Sequence, residues 1–399
     1  MSSDDLHRHA QELAPSLSRD RRHLHRHPEL SGAEVETARF IESRLRQLNL
    51  EPRLLLEDTA VVAELGGPRA GGKTVLLRAD TDALPVQERG EGRDYRSQVP
   101  GVMHACGHDG HVAIALATAE LLLRHRERLG GRVRLVFQPA EETAGGAERL
   151  IQAGVTDSPA VDAALGLHLW GGQPVGRVGV RDGVIFASAD EFALEVRGRG
   201  GHGALPHQAL DPVPIASLIV LGLQLLVSRE TNPSDTAVVT VGQVQAGQAF
   251  NIIPEAAILK GTVRAFTDSD RERLLSRIEE LARGIASGFG AQVEMRLGAG
   301  CPPVVCDPGV AAVVRWAVAQ SPGAEATDPE PLTVGDDVAL FLRRAPGCYF
   351  LLGAGDAASG QTAPHHHPEF DIDERCLPLG AEVLARSVLA LLNPAGSRV

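Results

Sequence analysis

The chain has 399 residues, more than one compact core usually serves, so two domains are expected. Hydrophobic residues make up 43% and charged residues 23%, with 43 Gly and 25 Pro, which excludes a disordered or fibrous chain and fits a globular α/β protein. A formal net charge of −12 repels phosphate backbones and anionic membranes, so neither nucleic acid nor membrane is an expected partner.

Residues 1–15 are polar, with Asp4, Asp5 and Glu12 and no apolar signal core, so no leader is expected. Ser31 and Glu34 have capping-box spacing and predict a helix running to about Leu48. Thr59–Leu65 and Thr74–Ala79 read as buried strands. Val112–Arg128 reads as a helix stopped by Gly130 and Gly131. Arg132–Phe137, Val161–Leu169 and the distant Cys348–Leu352 read as further strands. Strands alternating with helices predict a mostly parallel sheet covered on both faces.

The middle of the chain reads differently. Phe192–Val196 is a predicted strand and Pro212–Arg229 a helix. Ala237–Val244 and Ala256–Ala265 are predicted strands, Asp270–Ser287 a helix and Gln292–Leu297 a strand. This βαββαβ order is the ferredoxin-like pattern of a self-sufficient small domain. The expected organisation is a catalytic domain in two pieces, 1–183 and 298–399, with the small domain at 184–297 inserted between them. The longest apolar run, Val213–Val227, is broken by Pro214 and Gln224 and is too short to span a bilayer. Five cysteines with no CxxC pair argue against a disulfide framework and for a reducing cytoplasm.

Chemistry concentrates in five segments. His104–His111 (HACGHDGH) places thiolate and imidazole donors at close spacing before a helix, with glycines that let the backbone turn around an ion, which points to metal binding. Glu141 and Glu142 follow a predicted strand and Pro139. Adjacent residues of extended backbone face opposite ways, so one carboxylate can hold a metal while its neighbour acts as general base. Alone, such a pair reads more readily as a solvated acidic turn. His168 closes an apolar strand where α/β folds place their sites, yet a single His there is as often structural as a ligand. His365–His367 is a histidine run in a loop, equally readable as solvated. Asp80, closing strand Thr74–Ala79, suits acceptance of the spare N–H of a ligating His, or a turn cap.

Together these segments, in this order, resemble the M20 metallopeptidases, and within them the amidohydrolases related to hippurate hydrolase, aminoacylase-like enzymes and indole-acetyl-amino-acid hydrolases. Further matching stretches are Leu24–Ser31, Arg78–Pro85, Gly166–Trp170, Gly201–His207, Asn251–Glu255 and His366–Asp371, so the resemblance spans nearly the whole chain. It implies a catalytic domain with an inserted lid and dimerisation domain. It makes Cys106 the bridging ligand of two divalent metal ions, with His108, Glu142, His168 and His366 completing the set and Glu141 as general base. His366 is preferred because the family ligand lies two residues before the Pro. His202 matches a histidine donated by the partner's lid to the oxyanion. Asn251 and Arg264 match lid positions that bind the polar end of the substrate, and Arg264 alone also reads as a lid salt bridge with Asp268 or Asp270. The bridging thiolate favours Zn, and three His with a Glu also accept Mn, Co or Ni. One departure is Asp336, where family members usually carry a Glu.

The implied activity is hydrolysis of the amide bond of an N-acyl amino acid by a homodimer, with higher oligomers open. A dipeptidase or another exopeptidase or deacylase of the same family is the alternative. Two rivals differ in kind: a cysteine hydrolase in which Cys106 attacks with His108 or His111, and a non-catalytic metal- or peptide-binding protein, for which a retained Glu141 would have no use.

Overall fold

A computed structural model describes residues 3–67, 72–90, 92–355 and 363–393. The chain forms two compact units. The larger holds the chain up to Ile185, then Val305–Glu330, and everything from Asp337 on. The smaller holds Phe186–Val304 with Pro331–Asp336.

The larger unit is built on an eight-stranded sheet in the order Arg53–Leu55, Ala60–Gly66, Arg132–Gln138, Thr74–Asp80, Ala163–Pro174, Gly347–Gly355, Arg177–Gly179, Glu325–Thr327. Its four central members, Arg132–Gln138 to Gly347–Gly355 in that order, run parallel. The sheet is mixed at its flanks, where Ala60–Gly66 pairs antiparallel to Arg132–Gln138 and Arg177–Gly179 antiparallel to Gly347–Gly355. Thr74–Asp80 and Gly347–Gly355 are buried at every position, so their apolar residues do not alternate with exposed ones. Parallel strands share one carboxyl edge. Asp80, and the turn after Gln138 that carries Glu141 and Glu142, therefore leave the sheet side by side, with Asp80 paired to Gln138.

Two local expectations are corrected. The helix expected from Val112 begins at His108 and ends at Arg124, followed by a short 3-10 turn at Arg126–Arg128. The apolar period starts only at Val112, but the polar first turn is buried as well, because its side chains find partners inside the protein. Gly107, at φ 94, makes the left-handed entry that a side chain would oppose. Ser31 and Glu34 form no capping box. The helix there is Val35–Gln47 with no side-chain cap, the Ser31 hydroxyl donates to Asp82, and the Glu34 carboxylate accepts from the Ala140 amide. Both residues are drawn away by tertiary partners that spacing along the chain does not reveal.

The smaller unit has a four-stranded antiparallel sheet in the order Ala237–Ala246, Ala256–Ala265, Ala189–Arg197, Gln292–Cys301. With helices Pro212–Ser228 and Asp268–Gly288 this is the ferredoxin-like arrangement. Both helices are capped by side chains, Asp211 on the Val213 amide and Thr267 on the Asp270 amide. One core joins the helices to the sheet through Phe192, Leu194, Leu259, Ile219, Leu223 and Ile278. Among the described residues no helix is long and apolar enough to cross a membrane.

Candidate metal centre

The larger unit gathers Cys106, His108, Glu141, Glu142, His168 and His366 at the carboxyl edge of its sheet. Cys106 precedes the buried helix and His168 lies within strand Ala163–Pro174. Cys106 Sγ stands 3.5 Å from His168 Nε2. His366 enters from the C-terminal loop at a φ of 66°, its amide donating to the Ala105 carbonyl, and its Nε2 lies 3.4 Å from Glu142 Oε1. Two donor groups result, Cys106–His108–His168 and Cys106–Glu142–His366, and in each the ligand atoms all lie within 4.8 Å of one another. Cys106 belongs to both. Glu141 stands next to them, in a third group with His108 and Glu142.

The residues fit a pair of divalent cations. His108 Nε2 and Glu142 Oε1 are buried without a hydrogen-bond partner, and both are aimed into the cluster. A buried acceptor or imidazole nitrogen left so is costly unless something else satisfies it. One thiolate, three imidazoles and a carboxylate form a donor set suited to Zn and acceptable to other first-row metals.

The surrounding hydrogen bonds fix which atom of each ring is offered. His108 Nδ1 sits 2.9 Å from the Asp82 carbonyl and 3.3 Å from Asp82 Oδ1, which leaves Nε2 for the cluster. His168 Nδ1 faces the Leu169 carbonyl at 2.8 Å, which leaves Nε2 towards Cys106. Asp82 therefore takes the spare N–H of His108, while Asp80 Oδ2 stands 3.6 Å from His108 Nε2. Asp80 instead binds Arg78 at 2.7 Å and His111 Nδ1 at 2.5 Å. Nε2 of His111 accepts the Leu169 amide at 2.9 Å, so both its nitrogens are engaged in holding the strand beside His168. Asp109 is likewise not presented to the cluster. It accepts from Arg21 and His25, which ties the motif to helix Ala14–Arg26.

Electrostatics follow from burial and crowding. Burial pushes the Cys106 thiol well up, and Glu142, Glu141 and Asp80 push it further. Burial pulls His108 down, but Asp80, Asp82 and Glu142 prevail and raise it to about 10. His365 is pushed down to about 3 by burial and by the neighbouring imidazoles. Its ring stacks on Trp170 at 4.7 Å, and its Nδ1 lies 3.9 Å from Cys106 Sγ. His367 is exposed and accepts the Glu369 amide.

In the smaller unit, Gly201–His202 pairs antiparallel with Ile252–Ile253, so His202 and Asn251 share one exposed ribbon. His202 Nδ1 accepts the Ala204 amide, and the Asn251 carbonyl accepts the Gly203 amide. Arg264 lies apart in the sheet, opposite Val238, and donates to Thr262 Oγ1 and the Val263 carbonyl. Asp270 is engaged by Thr267 and Arg273 instead. Asp336 is buried in the same unit.

Asp82, Glu34 and the anchoring of Asp109 are roles that spacing along the chain does not reveal. For Asp82 it gives only a direction: Asp80 and Asp82 are two apart, so extended backbone points both to one side.

The model of peptidase family M20/M25/M40 matches residues 76–390. The chain belongs to that family. N-acetyl-L-cysteine deacetylase of Bacillus subtilis is 38% identical over 94% of this chain and 87% of its own. IAA-amino acid hydrolase ILR1-like 2 of Arabidopsis thaliana is 38% identical over 95% of this chain and 85% of its own. The crystal structure of a Bacillus subtilis protein described as a dinuclear metal binding peptidase of the M20 family superposes with a TM-score of 0.83 at 36% identity, covering 96% of this chain and 99% of that one. As an M20 member the protein is a metal-dependent hydrolase of linear amide bonds, and the two donor groups around Cys106 lie within the matched region.

Because Cys106 belongs to both groups, Cys106→Ala is expected to weaken both ions together, while His366→Ala weakens mainly one. Elemental analysis and metal titration of the two variants measure this, and equal single-ion losses in both would refute the sharing.

Proposed function

We propose that the protein removes the acyl group from N-acyl amino acids, releasing a carboxylic acid and a free amino acid. The observation that carries this reading is the pair of donor groups sharing Cys106 with Glu141 alongside. Cys106 would bridge the ions, His108 and His168 would complete one side, and Glu142 and His366 the other, with Zn or Mn first and Co or Ni acceptable. Bound there, the ions supply a Lewis acid for the amide carbonyl and lower the pKa of water towards neutrality.

The chain's own residues do the rest. Glu141 takes a proton from the attacking water and delivers it to the departing amine. Asp82 keeps His108 in one tautomer and holds the Glu142 amide, so neither group turns away as charge develops. His202 donates to the oxyanion from a partner's ribbon, Asn251 binds the polar end of the substrate, and Arg264 pairs with its carboxylate through a planar fork. The inserted segment 184–297 acts as lid and dimerisation domain between catalytic pieces 1–183 and 298–399. Support for a homodimer comes from helix Pro212–Ser228, which leaves Leu218, Leu221 and Leu225 exposed on the smaller unit. Five free, buried cysteines suit a reducing cytoplasm.

The relatives' names support this substrate class, since a deacetylase of N-acetyl-L-cysteine and an IAA-amino acid hydrolase both act on an N-acylated amino acid. The acyl group, whether benzoyl as in hippurate, acetyl or auxin-like, is set by side chains that the motifs do not include.

Two outcomes test the reading. Amidating or esterifying the acid end of N-acetyl or N-benzoyl amino acids should lower kcat/KM by about 1.5–3 kcal/mol, the scale of a charged hydrogen bond, and equal turnover would remove the carboxylate contact. Mixing inactive His202→Ala with inactive Glu141→Gln protein should restore activity in heterodimers. No recovery despite demonstrated subunit exchange would place His202 outside the partner's site.

A further inference from the structure

Glu141 and Glu142 sit on a turn held in an unfavourable shape. Ala140 has a φ of 55°, in the left-handed region that a residue with a Cβ avoids. Such a conformation persists only where its surroundings impose it. Here the surroundings are two carboxylates, each on one peptide of the turn. Asp82 Oδ2 accepts the Glu142 amide at 3.0 Å and is itself fixed by the Ser31 hydroxyl at 2.7 Å. Glu34 Oε1 accepts the Ala140 amide at 2.8 Å. The Glu34 side chain is fully buried, reaching the turn from the entrance of helix Val35–Gln47. Glu141 lies between the two gripped amides. The rest of the turn closes behind it, with the Ala144 amide on the Glu141 carbonyl and the Gly145 and Gly146 amides on the Ala140 carbonyl.

A buried carboxyl is an expensive way to satisfy one amide. Burial raises the Glu34 carboxyl to about 7, with the backbone N–H groups of Ala140, Glu34 and Gly32 pulling it back down. A neutral acceptor of the same shape would serve that amide equally well. What the Ala140 amide needs at that point is an acceptor oxygen.

We infer that Glu34 is a positioning residue, whose contact with the Ala140 amide holds the left-handed turn and thereby sets the direction of Glu141. The inference rests on the reading of Glu141 as general base. Without the contact, Ala140 relaxes towards negative φ and Glu141 swings from its place beside His108. Substrate binding by the smaller unit is untouched, so the loss falls on kcat rather than KM. Displacing a reacting group by about an ångström costs on the order of 100-fold.

The test compares Glu34→Ala, Glu34→Gln and the double variant Glu34→Ala/Ala140→Gly, each first shown by thermal unfolding and circular dichroism to be folded. The activity arm uses an N-acetyl amino acid that the unmodified enzyme turns over. Glu34→Ala should lower kcat about 10- to 100-fold at nearly constant KM. Glu34→Gln, which keeps the acceptor, should stay within a few-fold. Ala140→Gly should return most of the loss, because glycine takes the positive φ unaided. A structural defect elsewhere would be rescued by neither. Unchanged kcat in Glu34→Ala, or a loss that neither Gln nor Ala140→Gly relieves, overturns the assignment. The second arm needs no substrate and so stands apart from the reading of the activity: amide hydrogen exchange over residues 139–146 should quicken in Glu34→Ala and slow again in the double variant. Unaltered exchange in Glu34→Ala overturns the inference even if the protein proves to hydrolyse some other amide.

Discussion

Burying several acidic groups around one thiol is the constraint on which the rest of the structure depends. Asp80, Asp82, Glu141, Glu142 and Cys106 meet at the carboxyl edge of a sheet in which strands Thr74–Asp80 and Gly347–Gly355 are buried throughout. Each charge taken out of water costs several kcal/mol unless partners replace the lost hydration. For Asp80 the replacement is complete: burial alone would raise its carboxyl, but Arg78, His108 and His111 hold it well below the usual range. For Cys106 the balance runs the other way, since burial and three carboxylates all oppose its thiolate. A thiol shared by two donor groups of three imidazoles and one carboxylate is arranged to hold cations.

The same arithmetic explains the layers beyond the donors. Asp109, one residue past His108, is satisfied by Arg21 and His25. Arg21 in turn bonds Asp371 and Glu374, just downstream of His366. Helix Ala14–Arg26, the histidine motif and the C-terminal loop are thereby tied through one buried guanidinium. Arg78 does the equivalent work on the other side, joining Asp80, Gln138 and Asp337. Asp337 also accepts the Ala147 amide just beyond the Glu141–Glu142 turn. A fully engaged polar network of this kind fixes one arrangement of the ligands at the expense of tolerance to substitution.

Much of this could be read from the chain. Thr74–Ala79 and Cys348–Leu352 could be read as strands because both of their faces are covered, and the small domain showed through its βαββαβ order. The donor candidates stood out because thiolate, imidazole and carboxylate rarely crowd into so few positions without a ligand, and the resemblance to M20 enzymes singled out His366 from a run of three. What stayed hidden were contacts between distant segments. His108 begins its helix earlier than the apolar period suggests because buried partners replace solvent around its polar first turn. Ser31 and Glu34 had the spacing of a capping box, yet each answers a group more than fifty residues away. Asp80 stood out because it closes its strand and Asp82 does not, yet the fold sets Asp80 on His111 and Asp82 on Nδ1 of His108. Spacing along the chain constrains local geometry, whereas these choices are made by the sheet.

The central claim, that one thiolate joins two ions at the edge of this sheet, is open to direct measurement. Crystals of the protein reloaded with Zn or Mn can be measured on either side of that metal's absorption edge. The account predicts two anomalous peaks per chain, both within bonding distance of Cys106 Sγ, one also at His108 and His168 and the other at Glu142 and His366. A single peak, or two of which one does not touch Cys106, would contradict it.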